Sequence, residues 1–138
     1  MDAAQRGANA RLSHLREDGF LPGQITIDGD TAASYCCLTG NCQFSIIWAK
    51  FFDRTSNEKF RGGVIRALDY VMQCQDIHTT NPDIRSAIKG SQQIGGKKAS
   101  LSFHNVTAKF FLDAILLRIR WLLWTEFGFV LCTVVHQV

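Results

Sequence analysis

Three cysteines fall within seven residues, Cys36, Cys37 and Cys42, and thiolates serve as zinc ligands and as nucleophiles. A zinc site wants a C-x2-C spacing with a fourth Cys or His close by. Here two of the thiols are adjacent, and His14 and His78 lie far along the chain. The trio therefore reads as small buried hydrophobes near a helix start, and no metal is expected. A nucleophilic thiol needs a histidine at hand, and no spacing singles one out. The turn Asp28-Gly29-Asp30 fails as a calcium loop, which would continue with an oxygen ligand, Gly and Glu where Ala32, Ala33 and Thr39 stand. Its carboxylates read as solvated turn residues.

The stretch Gly90 to Lys98 shares only an outline with a phosphate loop. Its lysine falls one residue late, no Ser or Thr follows, and no strand precedes it. No nucleotide or other cofactor is expected there. The same loop carries Arg85, Lys89, Lys97 and Lys98 against Asp76 and Asp83, a surplus of two positive charges. With Gly90, Gly95 and Gly96 exposing backbone N–H groups, it reads either as a holder of a carboxylate or phosphate or as an ordinary solvated loop. Asn41 and Gln43 stand at a helix entrance, where capping is the ordinary role of such side chains.

These residues must be positioned by helices. Ala3 to Glu17 carries Ala4, Ala8, Leu12 and Leu15 on one loose stripe, with Gly19 as a stop. Residues 19–31 are turn-rich, with Ile25 and Ile27 alternating in a short extended piece. Phe44, Ile47, Trp48, Phe51 and Phe52 then fall at helical spacing, and Phe60, Val64, Ala67, Leu68, Val71 and Met72 repeat the pattern. The polar run from Asp53 to Asn57 joins them, with Ser56 or Asn57 as cap, so the spacing predicts an antiparallel hairpin. The segment from Asp76 to Asn105 has no stripe. From Thr107, the lines Ala108, Phe111, Leu112, Ile115, Leu116, Ile119 and Phe110, Ala114, Leu117, Trp121, Trp124 give a helix apolar over most of its circumference, which needs neighbours on both sides. Phe127 to Val135 is β-branched and aromatic and reads as a strand.

With 138 residues, 46% hydrophobic and 20% charged, the chain is one globular domain of all-α class. A net charge of +3 with no basic run longer than Lys97-Lys98 argues against a nucleic-acid partner. Five cysteines cannot pair fully within one chain, and Met1 to Arg16 lacks an apolar leader core, so reduced thiols and a cytoplasmic location are expected. Trp121 to Val135 is the most apolar run. Glu126 and Gly128 interrupt it, short of the ~20 residues a membrane span needs.

The runs Leu38-Thr39-Gly40-Asn41-Cys42-Gln43 through Trp48, Ala67-Leu68-Asp69-Tyr70-Val71 with Gln73-Cys74-Gln75-Asp76, and Arg85 to Ser91 together resemble the helical hairpins of the α/α-toroid proteins. These are the terpenoid cyclases, the protein prenyltransferases and the similarly built glycan hydrolases and lyases. The resemblance covers roughly residues 20 to 117. It implies that 1–138 is a single partial toroid, the C-terminal part of one: an N-terminal helix over 1–18, toroid-like hairpins over 19–117, and an atypical apolar tail over 118–138. It also implies a polar pocket at the helix ends, for a small molecule or glycan. Asp30 and Tyr35 would be its catalytic residues, Asp30 as acid or base and Tyr35 in contact with substrate. Asn41, Gln43, Arg85, Lys89 and Ser91 would contact substrate, the cations taking a uronate or a diphosphate. If the chain is an enzyme, it would be a glycan hydrolase or lyase, or a cyclase. The turn Asp28-Gly29-Asp30-Thr31-Ala32 has one carboxylate fewer than the cyclase motif, and no Trp follows Gln75 in the loop. Those differences favour a second reading, a non-catalytic helical binding or assembly module with residues 107–124 as its oligomer interface. A third reading is a truncated fragment without activity.

Overall fold

A computed structural model describes residues 2–92, 103 and 105–135, with 122–135 as backbone only. Among them the chain is mainly helical: α1 (Ala3–Ser13), α2 (Leu38–Thr55), α3 (Glu58–Gln73) and α4 (Asn105–Val135). Two short strands, β1 (Cys36–Cys37) and β2 (Ser91–Gln92), pair antiparallel, with Cys36 opposite Gln92 and Cys37 opposite Ser91.

Local chemistry sets the helix ends. Asp2 caps α1 by accepting from the amides of Ala4 and Gln5 at 2.6 and 3.2 Å. At α2 the cap is Cys37, whose Sγ accepts from the Gly40 amide at 3.4 Å. Asn41 and Gln43 thus lie inside α2, one turn beyond the capping position expected for them. Ser56 closes α2 in the left-handed region, its amide donating to the Phe52 carbonyl at 2.8 Å. Asn57 alone caps α3, through the Lys59 amide at 3.2 Å, and Glu58 suits the positive end of the helix dipole.

Contacts fix the helix directions. Phe51 stacks on Phe60 with centroids 5.4 Å apart, and the Asn41 amide reaches the Ala67 carbonyl at 3.4 Å. Advance along α2 is retreat along α3, so the hairpin is antiparallel. The Thr39 and Thr107 hydroxyls lie 2.6 Å apart, and Phe52 meets the edge of Trp121 at 5.0 Å. α4 therefore runs parallel to α2, which is packed between α3 and α4.

The core centres on Trp48, Phe60, Val64, Ala67 and Leu68, with Ala8 from α1, Leu21 from the following turn and Ala114 from α4. Trp48 is fully buried and donates its indole N–H to the Ala8 carbonyl at 3.0 Å, pinning α1 on the hairpin. The expected stripe on α2 holds only in part. Phe44, Phe51 and Phe52 are half-buried and Ile47 is exposed, whereas Asn41, Cys42, Ser45 and Ala49 are fully enclosed. On α3 it is Gly63 that lets the helices approach closely. A Cβ on Gly63 would lie 2.5 Å from Leu12 Cδ1 and 3.3 Å from Trp48 Cε3.

Two elements differ from expectation. Phe127 to Val135 is not a strand; it continues α4 to Val135. Extending an existing helix adds one hydrogen bond for each residue fixed, and no proline intervenes, so β-propensity loses. The extended piece reduces to a single bridge between Ile25 and Thr31, with Ile27 wholly exposed.

Candidate functional site

One end of the bundle gathers the start of α2, the end of α3 and the start of α4. Pro22 bridges to Cys36, Cys36 pairs with Gln92, and Lys89 bridges to Phe103. The Leu38 amide donates to the Gly90 carbonyl at 3.1 Å. The loop before β2 is thereby laid against the entrance of α2, so Ser91 faces Cys37 four residues before Asn41. Of the candidate site residues, Lys89, Ser91 and Asn41 are the ones drawn into this layer.

Asp30 and Tyr35 belong to the connection between α1 and β1. Asp30 is exposed in a turn closed by the Thr26 amide on its carbonyl at 2.8 Å and by its own amide on Thr26 Oγ1 at 3.0 Å. Tyr35 is half-buried and lies over Gly23, where a Cβ would stand 2.4 Å from the ring. Gln43 points outward from α2. Arg85 is exposed, and its guanidinium closes its own loop on the carbonyls of Thr79 and Thr80 at 3.1 and 3.4 Å. Among the described residues no hydrogen bond or ion pair joins Asp30, Gln43 or Arg85 to another candidate. Gly95, Gly96, Lys97 and Lys98 lie outside the described residues.

Asn41 has no exposed surface, and its amide is committed to the fold. Nδ2 donates to the Gly19 carbonyl at 3.0 Å and to the Ala67 carbonyl at 3.4 Å, while Oδ1 accepts from Cys36 Sγ at 3.2 Å. Gly19 sits at φ +85, and a Cβ there would come within 2.1 Å of the Arg66 carbonyl oxygen. The side chain of Asn41 thus ties the turn after α1 to both helices of the hairpin.

The thiols share this layer. Cys36 and Cys42 are fully buried, and desolvation pushes each thiol up to about 12. Burial raises Cys74 to about 11, partly offset by the nearby Lys89 ammonium. They remain protonated at neutral pH, unsuited to nucleophilic attack. Among the described residues no group of three or more His, Cys, Asp or Glu is placed to hold a metal ion.

The opposite end of the hairpin carries a cleft of about 680 Å³ lined by Phe52, Asp53, Ser56, Glu58, Arg61, Arg120 and Trp121. Asp53 accepts from Arg120 and, at 3.0 Å, from Trp121 Nε1, while Arg61 meets Glu58 at 3.3 Å. Each guanidinium already has a carboxylate, so the cleft is neutral and its polar groups latch α4 to the hairpin turn. Its residues come from positions up to 69 apart, which no local pattern reveals; the available sign was Arg118 and Arg120 within the apolar run from Ala114 to Leu123. Arg118 makes a second latch, to Asp69 at 2.6 Å.

The third feature is α4 itself. Thr107 and Ala114 are buried against the hairpin and Trp121 is half-buried. On the other side Leu112, Leu116 and Ile119 are 58%, 56% and 42% exposed, on one line with the exposed Ala108. The helix is apolar on both faces, and only one is covered. No helix among the described residues is long and apolar enough to cross a membrane. The chain matches no family model, no curated protein sequence and no solved structure.

Proposed function

We propose that this chain is a helical assembly module whose working surface is the outer face of α4. The observation that carries the reading is the exposed line Leu112, Leu116 and Ile119 on a helix whose opposite face is already buried. Side chains of this size spaced at i, i+4 and i+7 are the anchors of helix-to-helix recognition. The cover that fits is another helix or helical hairpin, the arrangement that the α/α-toroid resemblance implies. The double substitution Leu112→Glu, Leu116→Glu tests it. Both positions face solvent in the isolated chain, so helix content is kept and, at dilutions where the parent is monomeric, the melting temperature stays within about 2 °C of it. Association, and binding of an apolar-surface dye such as ANS by the dilute monomer, are lost. A variant that unfolds, or one that associates and binds dye like the parent, refutes the reading.

A second reading, a helix-end site for an anionic glycan or a prenyl diphosphate, is supported by the β1–β2 pairing that lays Lys89 and Ser91 against the start of α2. Galacturonate and farnesyl diphosphate in a thermal-shift titration test it: it requires a rise in melting temperature that Lys89→Ala abolishes, and no rise with either compound ends it.

A further inference from the structure

We infer that the partner covering α4 is the α4 of a second copy of this chain, laid antiparallel about a two-fold axis at Leu116. The inference rests on the assembly reading above and adds the identity of the partner and its register.

Ala108, Leu112, Leu116 and Ile119 form the outer line of α4. At 100° per residue, Lys109, Asp113 and Arg120 fall on one flank of that line, while the opposite flank holds the apolar Ile115. Lys109 and Asp113 form an i,i+4 pair at 2.6 Å with side chains 64% and 42% exposed, and the Arg120 side chain is 54% exposed. The flank therefore reads positive, negative, positive, and the last two signs are seven residues apart.

In an antiparallel two-fold pair each flank meets the same flank of the copy, and if residue i touches j then j touches i. An axis at Leu116 sets Leu116 against itself. It also sets Leu112 against Ile119 and Asp113 against Arg120, each within one residue of registry, or about 1.5 Å of rise. The apolar line and the charged flank are thus self-complementary about one point. A parallel pair would instead set the charged flank against Ile115 and leave its charges unmatched. In the antiparallel pair Asp113 joins Lys109 of its own helix to Arg120 of the second copy. Arg120 keeps its contact with Asp53, so the interface continues into the latch that holds α4 on its own hairpin.

Sedimentation equilibrium on the full chain is expected to give a dimer, twice the 15.5 kDa chain mass. Asp113→Arg places like charges across both symmetric contacts and raises the dissociation constant at least about tenfold. Adding Arg120→Asp brings it back toward the parent value, with thermal melts recorded alongside because this change also removes the Asp53 contact. Oxidation of Leu116→Cys gives a covalent dimer above the parent background, whereas Val106→Cys, exposed but off the line, does not. A dimer indifferent to Asp113→Arg, or cross-linked equally from both positions, overturns the register. A folded monomer overturns the self-partner; if it still binds dye through Leu112 and Leu116, the assembly reading survives with a different partner, and if it does not, both fall. A monomer that pellets with phosphatidylcholine vesicles assigns the face to lipid and likewise overturns the inference.

Discussion

Asn41 can be removed and the consequence worked out atom by atom. In Asn41→Ala the Gly19 carbonyl and the Cys36 thiol lose their buried partners, whereas the Ala67 carbonyl keeps its place in a helix. An orphaned buried acceptor costs about 1–3 kcal/mol. The lost amide also leaves a small void in a layer with no exposed surface, which adds about 1 kcal/mol. The sum, about 2–4 kcal/mol, corresponds to a fall in melting temperature on the order of 10 °C for a domain of this size. Thermal unfolding followed by circular dichroism is the assay. Asn41→Asp sharpens it: a buried carboxylate can donate only when protonated, and desolvation raises its pKa in the folded state. Stability of that variant relative to the parent should therefore be higher at pH 5 than at pH 8. If Asn41→Ala melts within a degree or two of the parent, the clamp argument is wrong and the amide is available for another role, including the ligand contact expected from the sequence.

Three further outcomes follow from the same geometry. Gly19→Ala forces a Cβ into the Arg66 carbonyl at a positive φ, so it destabilises by more than about 2 kcal/mol in chemical denaturation, and a neutral result would contradict the described turn. Trp48→Phe removes the hydrogen bond to the Ala8 carbonyl and part of a core indole, costing about 2 kcal/mol; amide exchange in α1 should speed up more than in α3. Cys36 and Cys42 hold their protons to about 12 in the folded chain, against an ordinary value of 9.0. The folded state binds the protons more tightly, so stability is retained below about pH 9 and declines from there toward pH 12. Urea titrations across that range check the slope, and iodoacetamide at pH 8 should label both thiols far faster in urea than in the native protein.

What was legible in the sequence were the features that repeat locally. Phe60, Val64, Ala67, Leu68 and Val71 repeat at helical spacing, and all five are buried in α3. The polar run from Asp53 to Asn57 was short enough to leave few geometries besides a hairpin, and the structure shortens the joint further, to Ser56-Asn57. What was not legible depended on partners far along the chain. Asn41 and Ser45 look like solvent-facing residues, yet both are enclosed because carbonyls, those of Gly19 and Ala67 for the one and Asn41 for the other, take their hydrogen bonds. Ile47 fits the apolar stripe and is exposed, because α2 is overlain at two sides and Ile47 lies on neither. Of the two apolar lines read along α4, the one through Ala114 is turned toward the hairpin and the one through Leu112, Leu116 and Ile119 is exposed. The strand expectation at its far end failed because composition says nothing about whether a helix is already running. For the candidate site, the sequence marked the bundle end through Asn41, Lys89 and Ser91. Asp30 and Arg85 were marked by chemistry alone, and each is held within its own turn.

The order in which this molecule assembles is written in its spacings. The loop between the hairpin rods is two residues, and closing it costs little entropy. The side-chain hydrogen bonds that seat the last helix, from Thr39 with Thr107 to Asp53 with Trp121, enclose stretches of 49 to 68 residues. Short loop closure favours pairing of the two rods first, with the final helix docking onto them afterwards. Until it docks, Phe52 has no Trp121 edge to meet, so a chain halted in the connection would present a greasy flank to whatever chaperone is near.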